Sequence, residues 1–341
     1  MAVTSELKIE SYIHDKGARL SEGVTYLKDS KTLFWVDIFL SEIHFVTDIE
    51  QPKNTHKVVK IDSHNYNGEY PCSTELPERV GAVFPVDSPQ GVKVAFFASK
   101  YGIGRLSLES CKWKYEVLYS SCRETSGKAW DRLRSNDGNV APNGDIYIGV
   151  MNDFHVGVDT NKQAEGCLFC VNVKSKTIRL ILDSIYIPNS VNWNPSGDVM
   201  YVTDSLAFKI WQMPYENDVP QVSKKSQYID FAQINSDFAS PEPDGSVIDL
   251  RDGFLYSTVF STNKLQIFDN HGKLERELVF PDTPNVTCCC LGPGGDLFVT
   301  TASLDVLNGN SSGPSGALFR VSSGFVDAKG EVSSSKLAPA F

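Results

Sequence analysis

The sequence contains no long apolar run and no excess of positive charge. Its longest apolar stretch, from Val92 to Ala98, is interrupted by Lys93, whereas a membrane-spanning helix needs roughly 20 residues. No apolar segment follows a basic start near the N-terminus, so we expect no secretory signal. Acidic residues outnumber basic ones by 42 to 32, which gives a net charge of −10. This balance argues against non-specific binding to nucleic acid or to an anionic membrane surface.

The cysteines do not suggest a disulfide framework. Three of the eight are consecutive, Cys288, Cys289 and Cys290, and adjacent thiols suit such a framework poorly. Without a predicted signal, we expect reduced thiols in a cytoplasmic protein. Cys167 and Cys170 form a C-x-x-C motif within the strand-like segment GCLFCVNV. Residues three apart in a strand point to opposite faces, so we do not expect this pair to clamp a metal.

A repeat of about 50 residues organises the chain, and long helical periodicity is missing. Six times, a short apolar run meets a turn and is followed by a second β-rich run. The starts of the six units are 58, 57, 52, 55 and 43 residues apart. Three of the turns read PNGD, PSGD and PGGD, and these residues favour tight reversals. The units start at Gly23, Gly81, Gly138, Ser190, Gly245 and Cys288.

This period is typical of a β-propeller, in which each blade is one four-stranded sheet. Length alone would also allow two domains, but the repeat favours one. We therefore predict an all-β fold, a single six-bladed β-propeller over residues 1–341, with four-stranded antiparallel blades around a central channel. Alternating apolar residues near the start predict a strand that joins the last blade and closes the ring. These residues are Leu7, Ile9, Tyr12 and Ile13.

Oxygen-bearing side chains recur at the predicted mouth of the channel. The innermost strand of each blade lines the axis, so residues just before each unit should face a common cavity. Glu22, Asn189 and Asp244 occupy such positions in three units, and their oxygens suit a hard divalent cation. Each could separately be a turn residue, but their equivalent positions favour a shared site. The other positions hold Arg79, Asn136 and Thr287, so a thiolate-rich zinc site is not indicated.

Five segments together resemble a known family. They are LSEGVTY, RSNDGNVAPNG, IPNSVNW, EPDG and CCCLGPGGDLFVT. In this order they resemble the motifs of the senescence marker protein, regucalcin and gluconolactonase family. The resemblance implies a six-bladed propeller with a divalent metal at one end of the channel, and many members hydrolyse sugar lactones. It implies Glu22, Asn189 and Asp244 as metal ligands, and Arg134 and Asn136 as substrate-binding residues.

Three departures from the family pattern concern the pocket. Ser190 follows Asn189 where the family usually has glycine, and Ala141 replaces a common aspartate. In the segment MNDF, Asp153 is predicted to supply a carboxylate to the substrate, while Phe154 would make the pocket more apolar. The resemblance is therefore a better guide to the class of activity than to the substrate.

Histidine and serine motifs add little. None of the six histidines pairs with another at a spacing typical of metal ligands. His155, beside Asp153, is the one nearest the predicted mouth and is a weaker candidate. No G-x-S-x-G motif is present, which argues against an α/β-hydrolase mechanism.

The sequence thus predicts metal-dependent hydrolysis of a small, sugar-type lactone. The cation would polarise the carbonyl, Asp244 would act as general base, and Arg134 and Asn136 would hold the ring. Calcium is the expected cation, with zinc, manganese and magnesium as alternatives. A non-catalytic calcium-binding or scaffold propeller and a related esterase stay open as other functions. We expect a small-molecule lactone as partner, neither nucleic acid nor membrane, and the oligomeric state is left open.

Overall fold

Short strands make up almost all of the regular structure. The computed structural model describes residues 8–154, 164–309 and 313–322. Two residues named above, Leu7 and His155, lie outside the described residues. Over the described ranges the chain forms 25 strands and only short helices. No helix in these ranges is long and apolar enough to cross a membrane.

The strands pair into six antiparallel sheets that follow one another along the chain. The first strand is β1 (Lys8–Ile13). Blade 1 contains β2 (Ser21–Leu27), β3 (Thr32–Asp37), β4 (Glu42–Val46) and β5 (His56–Lys60). Blade 2 contains β6 (Ala82–Pro85), β7 (Val94–Ala98), β8 (Gly102–Ser107) and β9 (Lys112–Leu118). Blade 3 contains β10 (Leu133–Val140), β11 (Ile146–Asn152), β12 (Gly166–Asn172) and β13 (Thr177–Ile185).

The other three blades complete the predicted six. Blade 4 contains β14 (Pro188–Trp193), β15 (Val199–Asp204), β16 (Lys209–Glu216), β17 (Val219–Pro220) and β18 (Ser226–Asp230). Blade 5 contains β19 (Glu242–Ile248), β20 (Leu255–Phe260), β21 (Lys264–Phe268) and β22 (Leu274–Val279). Blade 6 contains β23 (Val286–Leu291), β24 (Leu297–Thr301), β25 (Leu318–Ser322) and the initial strand β1. In blade 4, β17 and β18 share the outer edge of β16.

The helices are single turns between strands. Two are α-helical, α1 (Pro52–Thr55) and α2 (Phe231–Ile234). The 3₁₀ turns are Ser63–Asn65, Tyr119–Ser121, Arg123–Thr125, Trp130–Arg132, Ser205–Ala207, Val222–Lys224 and Pro293–Gly295. The prediction of an all-β six-bladed propeller is confirmed.

The N-terminal strand closes the ring, as the sequence predicted. Strand β1 pairs antiparallel with β25, for example Ile9 with Val321. The hydroxyl of Tyr12 donates a hydrogen bond of 2.6 Å to the carbonyl of Ile49 in blade 1. Because β1 comes before blade 1 and ends blade 6, the closing sheet joins the two ends of the described chain and leaves no open seam.

The core lies between the blades. Six apolar clusters occur in the described residues, one between each pair of neighbouring blades. Side chains alternate between the faces of a strand, so each blade contributes to two clusters. Cys167 belongs to the cluster between blades 2 and 3, and Cys170 to that between blades 3 and 4. The predicted opposite orientation of this pair is confirmed. All eight cysteines are described, and all are free thiols.

Two histidines meet at the seam between blades 1 and 6. Nδ1 of His44 and Nε2 of His56 are 3.0 Å apart, so one ring donates a hydrogen bond to the other. Both rings stack on Trp35 with centroid distances of 5.1 Å. The two histidines help to line a small cavity with Ile13 and Leu318. Sequence spacing did not reveal this pair because the contact runs diagonally between neighbouring strands.

We expect this seam to weaken in acid. Burial, followed by the charge of His44, lowers the pKa of His56 to about 4, from an ordinary value of 6.5. As the pH falls, His56 therefore binds a proton in the unfolded chain before it does so in the folded protein. The free energy of unfolding falls as the pH drops from 6.5 to 4. The ring is only half buried, so solvent screening limits the effect to about 1 kcal/mol.

Urea unfolding of His56→Gln and the parent chain at pH 7, 5.5 and 4.5 measures this effect. The variant should lose about 1 kcal/mol less than the parent across the interval. His271→Gln, which changes an exposed surface histidine, is the matched control. Equal losses in the parent and in His56→Gln would show that this ring is not responsible.

Candidate metal and substrate site

A β-bulge near the start of the inner strand shapes the site. In blade 4, Pro188 pairs with Asp204 and Val191 with Val202, so three steps along β14 match two along β15. The inner strand of blade 4 thus has one residue more than its partner over this stretch, and so do the inner strands of blades 1, 3, 5 and 6. Such a bulge turns side chains out of the normal alternation. Asn136, Asn189 and Asp244 all lie in these bulges, and Glu22 immediately precedes one.

The bulges bring the predicted residues into one cavity of about 300 Å³. Five of the six predicted site residues line it, and they come from four blades. They are Glu22, Arg134, Asn136, Asn189 and Asp244. All five are at most 7% exposed. The repeat therefore places chemically different side chains at one end of the channel.

One amide oxygen in this cavity has no hydrogen-bond donor among the described residues. The Asn189 side chain donates from Nδ2 to Asp244 Oδ1 at 2.5 Å and to Ser205 Oγ at 3.0 Å. Its Oδ1 is buried and has no hydrogen-bond partner among the described residues. An unpartnered buried acceptor costs about 1–3 kcal/mol. The arrangement therefore favours a ligand that interacts with oxygen lone pairs.

The acidic side chains are close enough to repel each other. Burial, and next the charge of Glu22, hold the pKa of Asp244 well above its usual range. The hydrogen bond from Asn189 acts in the opposite direction. Two buried carboxylates can both be ionised at low cost only when a positive charge compensates them.

The donor set fits a hard divalent cation. Two carboxylates and an unpartnered amide oxygen are the ligand types that calcium and magnesium prefer. No group of three His, Cys, Asp or Glu side chains suited to a metal occurs in the described ranges. The candidate set depends on an asparagine oxygen as its third member.

Arg134 and Asn136 form a connected pair beside the acids. Nη1 of Arg134 donates to Asn136 Oδ1 at 3.0 Å and to the Ser135 carbonyl at 2.9 Å. Nδ2 of Asn136 donates to the carbonyl of Pro188 in the next blade at 3.2 Å. The pair is thus fixed across two blades, and burial lowers the pKa of Arg134.

Asp153 is placed differently from the other five predicted residues. Its side chain is 1% exposed, and it is not among the residues that line the cavity. Oδ2 lies 3.3 Å from Nε of Arg79 and 3.8 Å from Nζ of Lys100. The next residue, Phe154, lines the cavity. The predicted contact of Asp153 with the substrate stays a prediction.

A model of the SMP-30/gluconolactonase/LRE-like region matches residues 20–303. The chain belongs to this family. An uncharacterized protein of Saccharomyces cerevisiae is 42% identical over 334 residues, which cover 92% of this chain and 91% of the yeast protein. The L-arabinolactonase of Azospirillum brasilense is 24% identical over 291 residues, covering 83% of this chain and 81% of that enzyme.

A solved family structure has the same fold. A calcium-binding protein, regucalcin, from Agrobacterium tumefaciens superposes with a TM-score of 0.70 at 20% sequence identity. The match covers 95% of this chain and 94% of that protein. It supports the propeller architecture over nearly the whole length.

The structure accounts for one departure from the family pattern at the site. Ser190 Oγ lies 3.1 Å from the carbonyl oxygen of Asp244 and 2.6 Å from Oγ of Ser246, so its hydroxyl links blades 4 and 5. Ala141 is buried in the turn after β10, at the opposite end of that strand from Arg134.

Other lining residues were missed by the sequence reasoning. They are Leu20, Phe39, Met151, Ile187, Ser205, Glu242, Phe260 and Val306. Several lie at or just beyond the end of the second strand of a blade, which runs antiparallel to the inner strand and ends beside its start. The end of each second strand is a sequence signal that could have found them.

Proposed function

We propose that this protein is a divalent-cation-dependent lactonase that opens small lactones of the sugar type. The observation that carries the proposal is the convergence of Glu22, Asp244 and the unpartnered Oδ1 of Asn189 in one cavity. Family membership and the named activity of the L-arabinolactonase relative support the same chemistry. Calcium is our first choice of cation because all of the candidate donors are oxygens.

Each polar residue has a distinct task in this proposal. Glu22, Asn189 and Asp244 would hold the cation, which supplies Lewis acidity to the lactone carbonyl when bound. Asp244 accepts a proton from the attacking water. Water adds to the carbonyl carbon, the ring C–O bond breaks, and the ring oxygen takes up a proton to give a hydroxy acid.

Arg134 and Asn136 position the lactone for this attack. Arg134 is held by Asn136 and by the Ser135 carbonyl, so its guanidinium has a fixed orientation. A group fixed in this way orients substrate without losing much side-chain entropy. Contact of Asp153 with the substrate and a cytoplasmic location both stay predictions.

Hydrolysis of aldonolactones and of simple lactones by protein treated with a chelator, and then given calcium, magnesium, manganese or zinc, tests the proposal. We expect no activity above background after chelation and recovery with at least one cation. Failure of every cation to give hydrolysis would contradict the enzyme proposal. Binding of calcium without hydrolysis would favour the non-catalytic calcium-binding alternative.

Calorimetric titration then tests the ligand set. Asn189→Ala should weaken cation binding by about tenfold or more, since it removes a proposed ligand. Asn143→Ala, which changes an asparagine in the turn between β10 and β11, is the matched control and should bind as the parent does. Unchanged affinity in Asn189→Ala would remove this residue from the ligand set.

A further inference from the structure

The cavity has an apolar portion as well as the polar set of Glu22, Asn189 and Asp244. Of the fourteen described residues that line it, seven are hydrophobic. Because they offer no side-chain hydrogen bonds, they cannot satisfy buried hydroxyl groups. The apolar residues are Leu20, Phe39, Met151, Phe154, Ile187, Phe260 and Val306.

The polar groups are largely engaged with one another. Arg134 donates to Asn136, and Asn136 donates to a backbone carbonyl. Asn189 donates to Asp244 and Ser205. A lactone with a hydroxyl on nearly every carbon would bury several of these hydroxyl groups against apolar side chains, and each hydroxyl left without a hydrogen bond would weaken binding.

We call these seven apolar lining residues the apolar wall. Arginine side chains hold part of this wall in place. The guanidinium carbons of Arg19 and Arg79 lie 5.0 Å and 4.9 Å from the ring centroid of Phe39. Nη1 of Arg79 donates to the Phe39 carbonyl at 3.3 Å. Nε of Arg19 donates to the Val306 carbonyl at 2.8 Å. Phe39 and the Val306 backbone are therefore held in place by contacts within the fold.

Arg79 also connects the apolar wall to Asp153, which does not line the cavity. The same guanidinium that packs on Phe39 lies 3.3 Å from Asp153 Oδ2, while Lys100 Nζ lies 3.8 Å from that oxygen. Oδ2 is thereby engaged by two cations, whereas Oδ1 is buried and has no hydrogen-bond partner among the described residues. The adjacent Phe154 lines the cavity, and Asp153 does not. The arrangement removes a polar partner for substrate hydroxyls and adds an aromatic surface.

From these contacts we infer that the preferred substrate is an amphiphilic lactone, with its ring at the polar residues and an alkyl or aryl substituent against the apolar wall. The inference rests on the proposed lactonase function but replaces the sugar-type lactone with an amphiphilic one as the preferred substrate. Each methylene buried against such a wall contributes about 0.8 kcal/mol, close to a fourfold gain in affinity.

A series of γ-lactones with growing alkyl chains tests the inference. The cation-loaded protein is assayed with γ-butyrolactone, γ-hexalactone, γ-octalactone and a γ-aldonolactone. We expect kcat/KM to rise about fourfold per methylene over the first few carbons, and γ-octalactone to exceed the aldonolactone. Equal values along the series, or preference for the aldonolactone, would overturn the inference and leave the lactonase function intact. Hydrolysis of none of them would instead contradict the proposed function.

Variants of the wall supply the second measurement. Phe154→Ser and Phe260→Ser should each reduce the ratio of kcat/KM for γ-octalactone to that for γ-butyrolactone by about tenfold. This ratio does not depend on how much of the variant is folded. Val279→Ser, which changes a 48% exposed residue on the outer strand of blade 5, is the control and should keep the parent ratio. If both phenylalanine variants kept the parent's ratio of kcat/KM values, this would show that the wall does not contact the substituent.

Discussion

Replacement of Asp244 by asparagine should lower kcat/KM for lactone hydrolysis by about 10³-fold at saturating cation. The substitution keeps the size of the side chain but removes both a negative ligand and the proposed proton acceptor. Burial and the charge of Glu22 raise the pKa of this carboxyl in the cation-free protein, and a bound cation would favour its ionised, proton-accepting form. The measurement is a pH-stat assay over a range of cation concentrations.

Glu242→Gln is the matched control for this experiment. Glu242 lines the same cavity two residues earlier, but it accepts a hydrogen bond of 2.6 Å from Ser240 and is outside the proposed ligand set. Its variant should lose less than about tenfold in kcat/KM. Equal losses in the two variants would mean that the negative charge of the cavity matters and that Asp244 has no special role.

Substitution of Gly81 by alanine should destabilise the propeller by about 3 kcal/mol or more. A Cβ atom at this position would lie 2.1 Å from the carbonyl oxygen of Asn136 and 2.7 Å from that of Ser135. Both contacts are with the backbone of the inner strand of blade 3, which cannot move without moving blade 3. The same shift would displace Asn136, so we expect lactonase activity to fall even at temperatures where the variant stays folded.

Urea unfolding of the variant gives the change in the free energy of unfolding. Gly17→Ala is the control, because a Cβ there meets only the flexible end of Asp15, at 3.3 Å. It should change stability by no more than about 0.5 kcal/mol. A Gly81→Ala variant as stable as this control would show that blades 2 and 3 can separate slightly at no cost.

The positions of the site residues could be predicted because the blades repeat. Glu22, Asn189 and Asp244 occupy corresponding places in three units, and each unit folds into one blade with its inner strand at the axis. Their convergence follows from that symmetry, whatever their chemistry. Ser205 and Phe260 were missed because the reasoning followed the start of each unit and examined the end of a second strand only in blade 3, whereas these residues lie at that place in blades 4 and 5.

Side-chain partners were much harder to predict than positions. Asp153 is a natural candidate for contact with the substrate, since it follows the second strand of blade 3. In the structure, Arg79, which is 74 residues away in the chain, and the buried Lys100 engage its carboxylate. His44 and His56 likewise meet through a diagonal contact between strands that has no counterpart in metal-ligand spacing.

Local sequence patterns were enough to predict the number of blades, the strand that closes the ring, and the candidate oxygen donors at the blade starts. These features depend on local patterns, namely the alternation within strands and the spacing of turns, which recur six times. Three features emerged only from the packing of the blades. Asn189 Oδ1 has no donor among the described residues, Asp153 lies against Arg79 and Lys100, and apolar side chains line the cavity beside the polar residues. These features depend on contacts between side chains of different blades. The pattern within one repeat does not specify such contacts, because they form only when the complete ring packs.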